Sequence, residues 1–259
     1  MNIGFIGAGN MATAMINGLK NTDHTLMAYD INEGALAKVA ELGVRTFTDM
    51  LDMAVRCNVV VLAIKPNIYE SVLTQLKGKA NPLYISIAAG ITTSYVRSIL
   101  GNDARVVRVM PNTPAMVGAG MTAIAKTEQN TEEELKIAET IFGQLGRTEQ
   151  LPESLMEAVI SLTGSSPAYV FMMIEAMADA AVRSGIPRSL SYSLAAQAVY
   201  GSAKMVLESS EHPAALKDAV CSPGGTTIEA VRVLEEKGFR AALQDAMSAC
   251  DKRAYELKK

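Results

Sequence analysis

The sequence predicts an α/β fold in which a doubly wound parallel β-sheet is followed by an all-α C-terminal domain. Three observations support this prediction. Short β-branched runs alternate with helical patterns up to about residue 150, strand signals stop after Pro152, and a chain of 259 residues is long enough for two domains. We therefore predict a first domain over residues 1–151 and a second over residues 152–259.

Five segments of the first domain have the β-branched composition of strands. They are Asn2–Ile6, Thr25–Tyr29, Val59–Ala63, Leu83–Ala88 and Arg105–Met110. Because helical patterns separate them, they predict βαβ units and hence a parallel sheet. The run Val59–Ala63 is apolar at every position, as expected for a strand that helices cover on both faces.

Helical spacing without strand signals characterises the second domain. The predicted helices are Ser154–Leu162, Ala168–Ser184, Ser189–Leu207, Thr227–Lys237 and Phe239–Leu257. The segments 168–184 and 189–207 are rich in Ala and Met, and their apolar surface exceeds what a small bundle covers alone. We therefore expect a homo-oligomer in which the C-terminal helices form a dimer.

Composition excludes several classes of partner and chemistry. The formal net charge is −3 and charges of both signs are interspersed, so we expect no nucleic-acid partner. Two histidines and three cysteines leave little material for a metal site, a disulfide framework or a Ser-His-acid triad. The sequence has neither a charged leader nor a membrane-spanning run, which predicts a cytoplasmic protein that acts on a small-molecule substrate without a membrane partner.

The strongest local motif is Gly7-Ala8-Gly9-Asn10-Met11-Ala12, directly after the first predicted strand. In a Rossmann-type domain the first glycine permits a tight turn, the second lets the backbone approach a pyrophosphate, and the small sixth residue allows the helix to pack on the strand. The N-terminus of the helix then faces the anion. We therefore predict that a dinucleotide binds to Gly7, Ala8, Gly9, Asn10 and Met11.

Asp30 ends the second predicted strand, and two interpretations of it stay open. Its carboxylate is placed to accept hydrogen bonds from the adenosine ribose, which favours NAD over NADP because a carboxylate repels the additional phosphate. Alternatively, Asp30 caps the helix that Asp30-Ile31-Asn32-Glu33 introduces.

Three further strand ends point to the same edge of the sheet, where ligands of open α/β sheets bind. The residues that follow these strands are Ala63, Ile64, Lys65, Pro66, Ala88, Ala89, Gly90 and Asn112. Lys65 either anchors a negative group or lies along the sheet edge. Asn112, between Pro111 and Pro114, either orients the nicotinamide or the substrate, or belongs to an ordinary rigid turn.

The informative segment of the second domain is Ser222-Pro223-Gly224-Gly225-Thr226-Thr227. We expect Thr226 and Glu229 to form a capping box at the start of the following helix. The first-turn N–H groups and the neighbouring hydroxyls would then suit a carboxylate. An ordinary turn between two helices is the alternative.

These motifs resemble those of the delta-1-pyrroline-5-carboxylate reductase family, whose members make proline. The resemblance covers essentially the whole chain, and its segments are 5–12, 63–66, 88–90, 110–114, 162–169, 212–218 and 222–227. Residues 222–227 are the family's signature, whereas residues 7–12 are common to many dehydrogenases. The resemblance implies an NAD(P)-dependent oxidoreductase that acts on a CH–NH bond.

The implied reaction is hydride transfer from NADPH, or from NADH, to the C=N bond of pyrroline-5-carboxylate, which yields L-proline in the last step of proline biosynthesis. The resemblance implies that residues 7–11, 63–66 and 88–90 contact the dinucleotide. It also implies that the substrate binds to Ser222, Gly225, Thr226 and Thr227, with Thr227 as the catalytic residue at the ring nitrogen. It also implies intertwined dimers that assemble into a ring. Relatives often have a small hydroxyl residue at the position of Asp30, near the additional phosphate of NADP.

Three alternatives stay open. A related hydroxyacid dehydrogenase would need a catalytic lysine in the helical domain, for which Lys204 and Lys217 are candidates. An imine reductase would act on other substrates and would not need their carboxylate. A dinucleotide sensor or scaffold would bind the coenzyme without chemistry.

Overall fold

The computed structural model describes residues 1–258, which form two compact units. Unit 1 contains residues 1–165 and the segment from Cys250 onward, and unit 2 contains Ser166–Ala249. This division differs from the expected boundary at residues 151 and 152. The physical reason is that the segment after residue 152 packs on the sheet, where Met156 is fully buried against Met110 and Ala125.

Unit 1 is built on an eight-stranded sheet. The strands are β1 (Asn2–Ile6), β2 (Thr25–Tyr29), β3 (Arg45–Phe47), β4 (Val59–Leu62), β5 (Leu83–Ser86), β6 (Val106–Met110), β7 (Gly120–Lys126) and β8 (Gly146–Pro152). Their order across the sheet is β3-β2-β1-β4-β5-β6-β7-β8. The order reverses between β1 and β4, which is the switch point where a doubly wound sheet opens a crevice for a ligand.

The predicted parallel sheet is confirmed for β1 to β6, and β7 departs from it. β7 pairs antiparallel with β6, and β8 then pairs parallel with β7. Sequence analysis predicted neither of these two strands, nor the three-residue β3. β8 is largely exposed and polar at the sheet edge, and β7 is rich in alanine, so neither has the composition of a buried strand.

Seven helices of unit 1 surround the sheet. They are α1 (Asn10–Leu19), α2 (Glu33–Ala40), α3 (Met50–Ala54), α4 (Tyr69–Leu76), α5 (Thr93–Leu100), α6 (Glu132–Phe142) and α7 (Met156–Val159). Side chains alternate between the two faces: Phe5 and Val61 belong to one buried cluster, whereas Ile6 and Val60 belong to another. Both faces of the sheet are therefore covered, as a doubly wound fold requires.

Unit 2 contains only helices among its described residues. They are α8 (Ser166–Arg183), α9 (Arg188–Ser209), α10 (Pro213–Val220), α11 (Thr226–Glu236) and α12 (Phe239–Glu256), whose second half belongs to unit 1. The expected helix over 154–162 is divided instead into a 3-10 turn, α7 and a π-helical turn, Ile160–Gly164. α10 was not predicted.

Unit 2 exposes a wide apolar surface. The groove between α8 and the helices α11 and α12 is lined mainly by methionine, leucine and phenylalanine: Met172, Met173, Met177, Leu234, Phe239 and Leu243. Such a surface is typical of an interface that another chain covers. No helix within residues 1–258 has both the length and the apolar character that a membrane span requires.

Candidate coenzyme and substrate sites

The predicted dinucleotide residues of unit 1 all follow parallel strands at one edge of the sheet. Gly7 follows β1, Asp30 follows β2, Ala63 follows β4, Ala88 lies just beyond β5, and Asn112 follows β6. β2, β1, β4, β5 and β6 are consecutive neighbours, so the structure brings these five positions together along the carboxyl edge. This is the edge that binds ligands in open α/β sheets.

The two glycines of the motif meet different surroundings. Gly7 has a φ of +99°, and a Cβ added to it would lie 2.4 Å from the carbonyl oxygen of Ala63. A Cβ added to Gly9 would meet no described atom within 4 Å. Gly7 is therefore required by the fold, whereas Gly9 leaves room for a ligand beside the backbone.

The N-terminus of α1 is open to a ligand. Gly9 is its N-cap, no side chain in residues 1–258 caps it, and both Gly9 and Asn10 are exposed. The first-turn N–H groups and the helix dipole at this end favour an anion. These features fit the pyrophosphate of a dinucleotide, as the motif predicts.

Asp30 is bonded to the glycine loop itself. Its Oδ2 accepts a hydrogen bond from the N–H of Ala8 at 2.7 Å, and its Oδ1 accepts one from the N–H of Asn32 at 2.8 Å. The N-cap of α2 is Asn32, whose side chain accepts from the N–H of Ala35, so the helix-cap interpretation of Asp30 is wrong. Two backbone dipoles thus partly compensate the charge of Asp30.

Lys65 and Asn112 differ in their exposure and in their hydrogen bonds. Lys65 is exposed and precedes the 3-10 turn Pro66–Ile68. Asn112 is 8% exposed; its Nδ2 donates to the carbonyl oxygen of Thr163 at 3.0 Å, and its Oδ1 accepts from the N–H of Met121 at 2.9 Å. These contacts support the rigid-turn interpretation of Asn112, and its contact with the coenzyme stays a prediction.

The candidate substrate residues of unit 2 surround the start of α11. The N–H of Gly225 donates to the carbonyl oxygen of Ser222 at 3.0 Å and closes a turn. Pro223 is the second residue of this turn, and Gly224 is the third with a φ of +66°. This is the residue pattern of a type II turn, which needs glycine at its third position.

The expected capping box of Thr226 and Glu229 is wrong. α11 begins one residue earlier, with Gly225 as its N-cap, and Glu229 pairs instead with Arg232 at 3.1 Å. No side chain in the described part of the chain caps the first turn. The N-terminus of α11 is therefore more open to an anion than the sequence predicted, and the hydroxyls of Ser222, Thr226 and Thr227 lie next to it in the chain.

The two lysines that a hydroxyacid dehydrogenase would need as catalytic candidates both form ion pairs with neighbouring carboxylates. Lys204 pairs with Glu208 at 3.8 Å, and Lys217 pairs with Asp218 at 2.7 Å. The hydrogen bond to Asp218 raises the pKa of the exposed Lys217 ammonium, which is therefore charged at neutral pH and unsuited to act as a base. His212 caps α10 through its Nδ1, which accepts from the N–H of Ala214 at 3.1 Å.

Sequence analysis assigned no role to a buried ion pair close to this edge. Arg108 and Glu157 are both fully buried, and their Nη2 and Oε1 atoms are 2.9 Å apart. The available signal was an arginine in the middle of β6, where the other four residues are Val106, Val107, Val109 and Met110. A charge at a buried strand position requires a buried partner.

Comparisons with known proteins identify both parts of the chain. Residues 153–257 match the family model described as pyrroline-5-carboxylate reductase dimerisation, and residues 2–90 match the model described as NADP oxidoreductase, coenzyme F420-dependent. A pyrroline-5-carboxylate reductase of Escherichia coli is 47% identical over 99% of this chain and 98% of its own length.

Two solved structures have the same fold over essentially the whole chain. A pyrroline-5-carboxylate reductase of Coxiella burnetii is 35% identical with a TM-score of 0.91, covering 100% of this chain and 98% of that one. A pyrroline carboxylate reductase of Plasmodium falciparum, solved with NADP bound, is 29% identical with a TM-score of 0.89 and the same coverage.

Proposed function

The chain belongs to the pyrroline-5-carboxylate reductase family, and from this premise we propose that its own residues reduce delta-1-pyrroline-5-carboxylate to L-proline with NADPH. The observation that carries the assignment of the substrate site is the open N-terminus of α11. It combines a two-glycine turn with three nearby hydroxyl residues in the segment that is the family's signature.

The residues of unit 1 bind and orient the coenzyme. The first-turn N–H groups of α1 hold the pyrophosphate beside Gly9, and Gly7 keeps the loop close to the sheet. Strands β1 and β2 belong to the half of the sheet that receives the adenosine, and β4 to β6 belong to the half that receives the nicotinamide. On this assignment the segments 63–66 and 88–90 contact the nicotinamide half.

The residues of unit 2 bind the imino acid. The N–H groups at the start of α11 receive the carboxylate, with help from the hydroxyls of Ser222 and Thr226. The hydroxyl of Thr227 forms a hydrogen bond with the ring nitrogen. Binding of the carboxylate therefore selects an imino acid over an uncharged imine.

The bound NADPH supplies the hydride that the C=N carbon receives. A cyclic imine is readily protonated, and its cation accepts a hydride without help from a strong general acid. Thr227 then needs only to orient the N–H group, and positioning of the two reactants provides most of the rate increase. This requirement agrees with a chain that has two histidines, of which His212 is a helix cap.

The match to a dimerisation model supports an oligomer of this chain. We propose that the apolar groove of unit 2 lies in a dimer interface and that dimers assemble into a ring. Sedimentation or light scattering tests the size of the assembly. The expected cytoplasmic location also stays a prediction, and cell fractionation tests it.

The decisive experiment measures oxidation of NADPH after pyrroline-5-carboxylate is added. We expect coenzyme oxidation with an equal amount of L-proline formed, and the same reaction with NADH measures the coenzyme preference. A parallel reaction contains 1-pyrroline, which lacks the carboxylate. Equal rates for both substrates would indicate an imine reductase without carboxylate recognition, and binding of NADPH without turnover would indicate a sensor.

A further inference from the structure

The segment Leu257–Lys258, which follows α12, lies against the nucleotide-binding unit of the chain. A Cβ added to Gly90 would be 2.5 Å from the carbonyl oxygen of Leu257 and 3.0 Å from its carbonyl carbon. Gly90 is buried and has a φ of +74°. The backbone of the 257–258 segment therefore packs directly on the loop that follows β5, and glycine at position 90 is what permits this close approach.

Lys258 also approaches the buried ion pair of this unit. Its Nζ is 3.5 Å from Oε2 of Glu157, while Oε1 of Glu157 is 2.9 Å from Nη2 of Arg108. Oε2 of Glu157 has no hydrogen-bond partner in the described part of the chain, so Lys258 provides its nearest compensating charge on that side. A buried carboxylate is costly unless such charges surround it.

The same group of charges extends to the point where the β5–α5 loop ends and α5 begins. Nη1 of Arg108 is 3.9 Å from Oε1 of Glu153. The carboxylate of Glu153 accepts the N–H of Thr93 at 2.8 Å and the hydroxyl of Thr93 at 2.7 Å, at the first turn of α5. Lys258, Glu157, Arg108 and Glu153 thus form an alternating row of charges that ends at Thr93.

Two points of one short loop are therefore held. Leu257 contacts the loop at Gly90, and the row of charges that includes Lys258 reaches Thr93, where the loop ends and α5 begins. Ala89, next to Gly90, is exposed at the carboxyl edge of β5. In the proposed function, residues 88–90 contact the nicotinamide half of the coenzyme.

We infer that the 257–258 segment is a positioning element for coenzyme binding, with Lys258 as its positioning residue. Lys258 holds Glu157 and, through Arg108 and Glu153, keeps the β5–α5 loop in the conformation that receives the nicotinamide half. The inference rests on the proposed function because it assumes that this loop contacts the coenzyme.

The test compares Lys258→Met and Lys258→Arg with the intact chain. Lys252→Met is the matched control, since Lys252 is an exposed lysine of α12, the helix that precedes the 257–258 segment. Calorimetry measures the Kd for NADPH and for 2′,5′-ADP, which carries only the adenosine half. Hydrogen exchange measures the protection of residues 88–96.

Lys258→Met should raise the Kd for NADPH by about three- to tenfold, the effect of losing a partly exposed ion pair. In the same variant the protection of residues 88–96 should fall, and the Kd for 2′,5′-ADP should not change. Lys258→Arg should restore both the Kd for NADPH and the protection of residues 88–96. Lys252→Met should change neither of them. An NADPH affinity of Lys258→Met equal to that of the intact chain would overturn the inference, as would an equal loss of affinity for 2′,5′-ADP. Failure of the intact chain to bind NADPH would instead refute the proposed function.

Discussion

The carboxylate of Asp30 accepts the backbone N–H of Ala8 across the glycine loop at 2.7 Å. The acidic residue that follows β2 is therefore bonded to the loop that we propose binds the pyrophosphate. Its second oxygen accepts the N–H of Asn32, so the carboxylate links β1, β2 and the start of α2. This contact gives Asp30 a structural role at the glycine loop.

Asp30→Ser should shift the coenzyme preference towards NADPH. The substitution removes a negative charge near the adenosine ribose, where a carboxylate repels the additional phosphate. We expect the ratio of kcat/KM for NADPH to that for NADH to rise about tenfold, equivalent to about 1.4 kcal/mol. Steady-state kinetics with both coenzymes measures the ratio. The control is Asp23→Ser, which removes an acidic residue outside the loop, and an unchanged ratio in Asp30→Ser would contradict the prediction.

The two glycines of the loop should respond differently to alanine. Gly9→Ala places a methyl group where the pyrophosphate approaches, so the Kd for NADPH should rise about tenfold or more while the unfolding free energy stays nearly constant. Gly7→Ala creates a contact with the carbonyl of Ala63 at a positive φ, and should lower the unfolding free energy by about 1–3 kcal/mol. Urea denaturation and calorimetry separate the two effects. A folded Gly9→Ala variant with unchanged affinity would exclude Gly9 from the site.

Thr227→Ala should reduce kcat by about 10- to 100-fold, because it removes a hydrogen bond to a charged ring nitrogen that is worth about 1.5–3 kcal/mol. The Kd for NADPH should not change, since we propose that Thr227 contacts the substrate and not the coenzyme. The matched control is Ser202→Ala, since the hydroxyl of Ser202 donates to the carbonyl of Ala198 within α9. Normal turnover of Thr227→Ala would reject the role assigned to Thr227.

Removing one partner of the buried Arg108–Glu157 ion pair should lower the unfolding free energy more than replacing both partners does. Arg108→Met leaves Glu157 buried with less compensation, and we expect the unfolding free energy to fall by about 3–5 kcal/mol. The double variant Arg108→Met/Glu157→Met removes both charges and should be less destabilised than the single one. Denaturant titration at low salt measures all three chains. A double variant that is less stable than the single variant would contradict this account.

Cys57 should make stability fall at alkaline pH. Burial raises the pKa of its thiol to about 11 from an ordinary value of 9.0. In the unfolded chain the thiol ionises above pH 9.0, whereas in the folded chain it keeps its proton until about pH 11. The contribution of Cys57 to the unfolding free energy is therefore fully present below pH 9.0 and is lost as the pH rises to about 11. Over this pH range the unfolding free energy of Cys57→Ala should fall by about 1–2 kcal/mol less than that of the original chain, after allowance for partial solvent screening. Unfolding free energies at several pH values check the difference, and parallel curves for both chains would contradict it.

The sequence was sufficient for the parts of the fold with strong local signals. The bounds of β1 and β2 agree with the prediction, and the glycine motif lies where β1 meets α1. Local signals were weak for β3, which has three residues, and for β8, which is exposed and polar. Their positions depend on pairing with β2 and β7, which is a long-range property.

The candidate site shows the same distinction. Sequence placed Gly7, Gly9 and the start of α11 at helix N-termini because glycine patterns are local. It did not predict that Asp30 bonds to Ala8, that Gly225 replaces Thr226 as the N-cap, or that Lys258 approaches Glu157. Each of these depends on backbone positions that only the folded chain defines, and the last contact joins residues 101 positions apart, the difference between 258 and 157.

The most direct test of the central claim follows a labelled hydride. The chain is mixed with pyrroline-5-carboxylate and NADPH in which both hydrogens at C4 of the nicotinamide are replaced by deuterium, and the product is analysed by mass spectrometry and NMR. The account predicts L-proline with one deuterium on the ring carbon that was double-bonded to nitrogen. Unlabelled proline, or consumption of NADPH without proline, would contradict it.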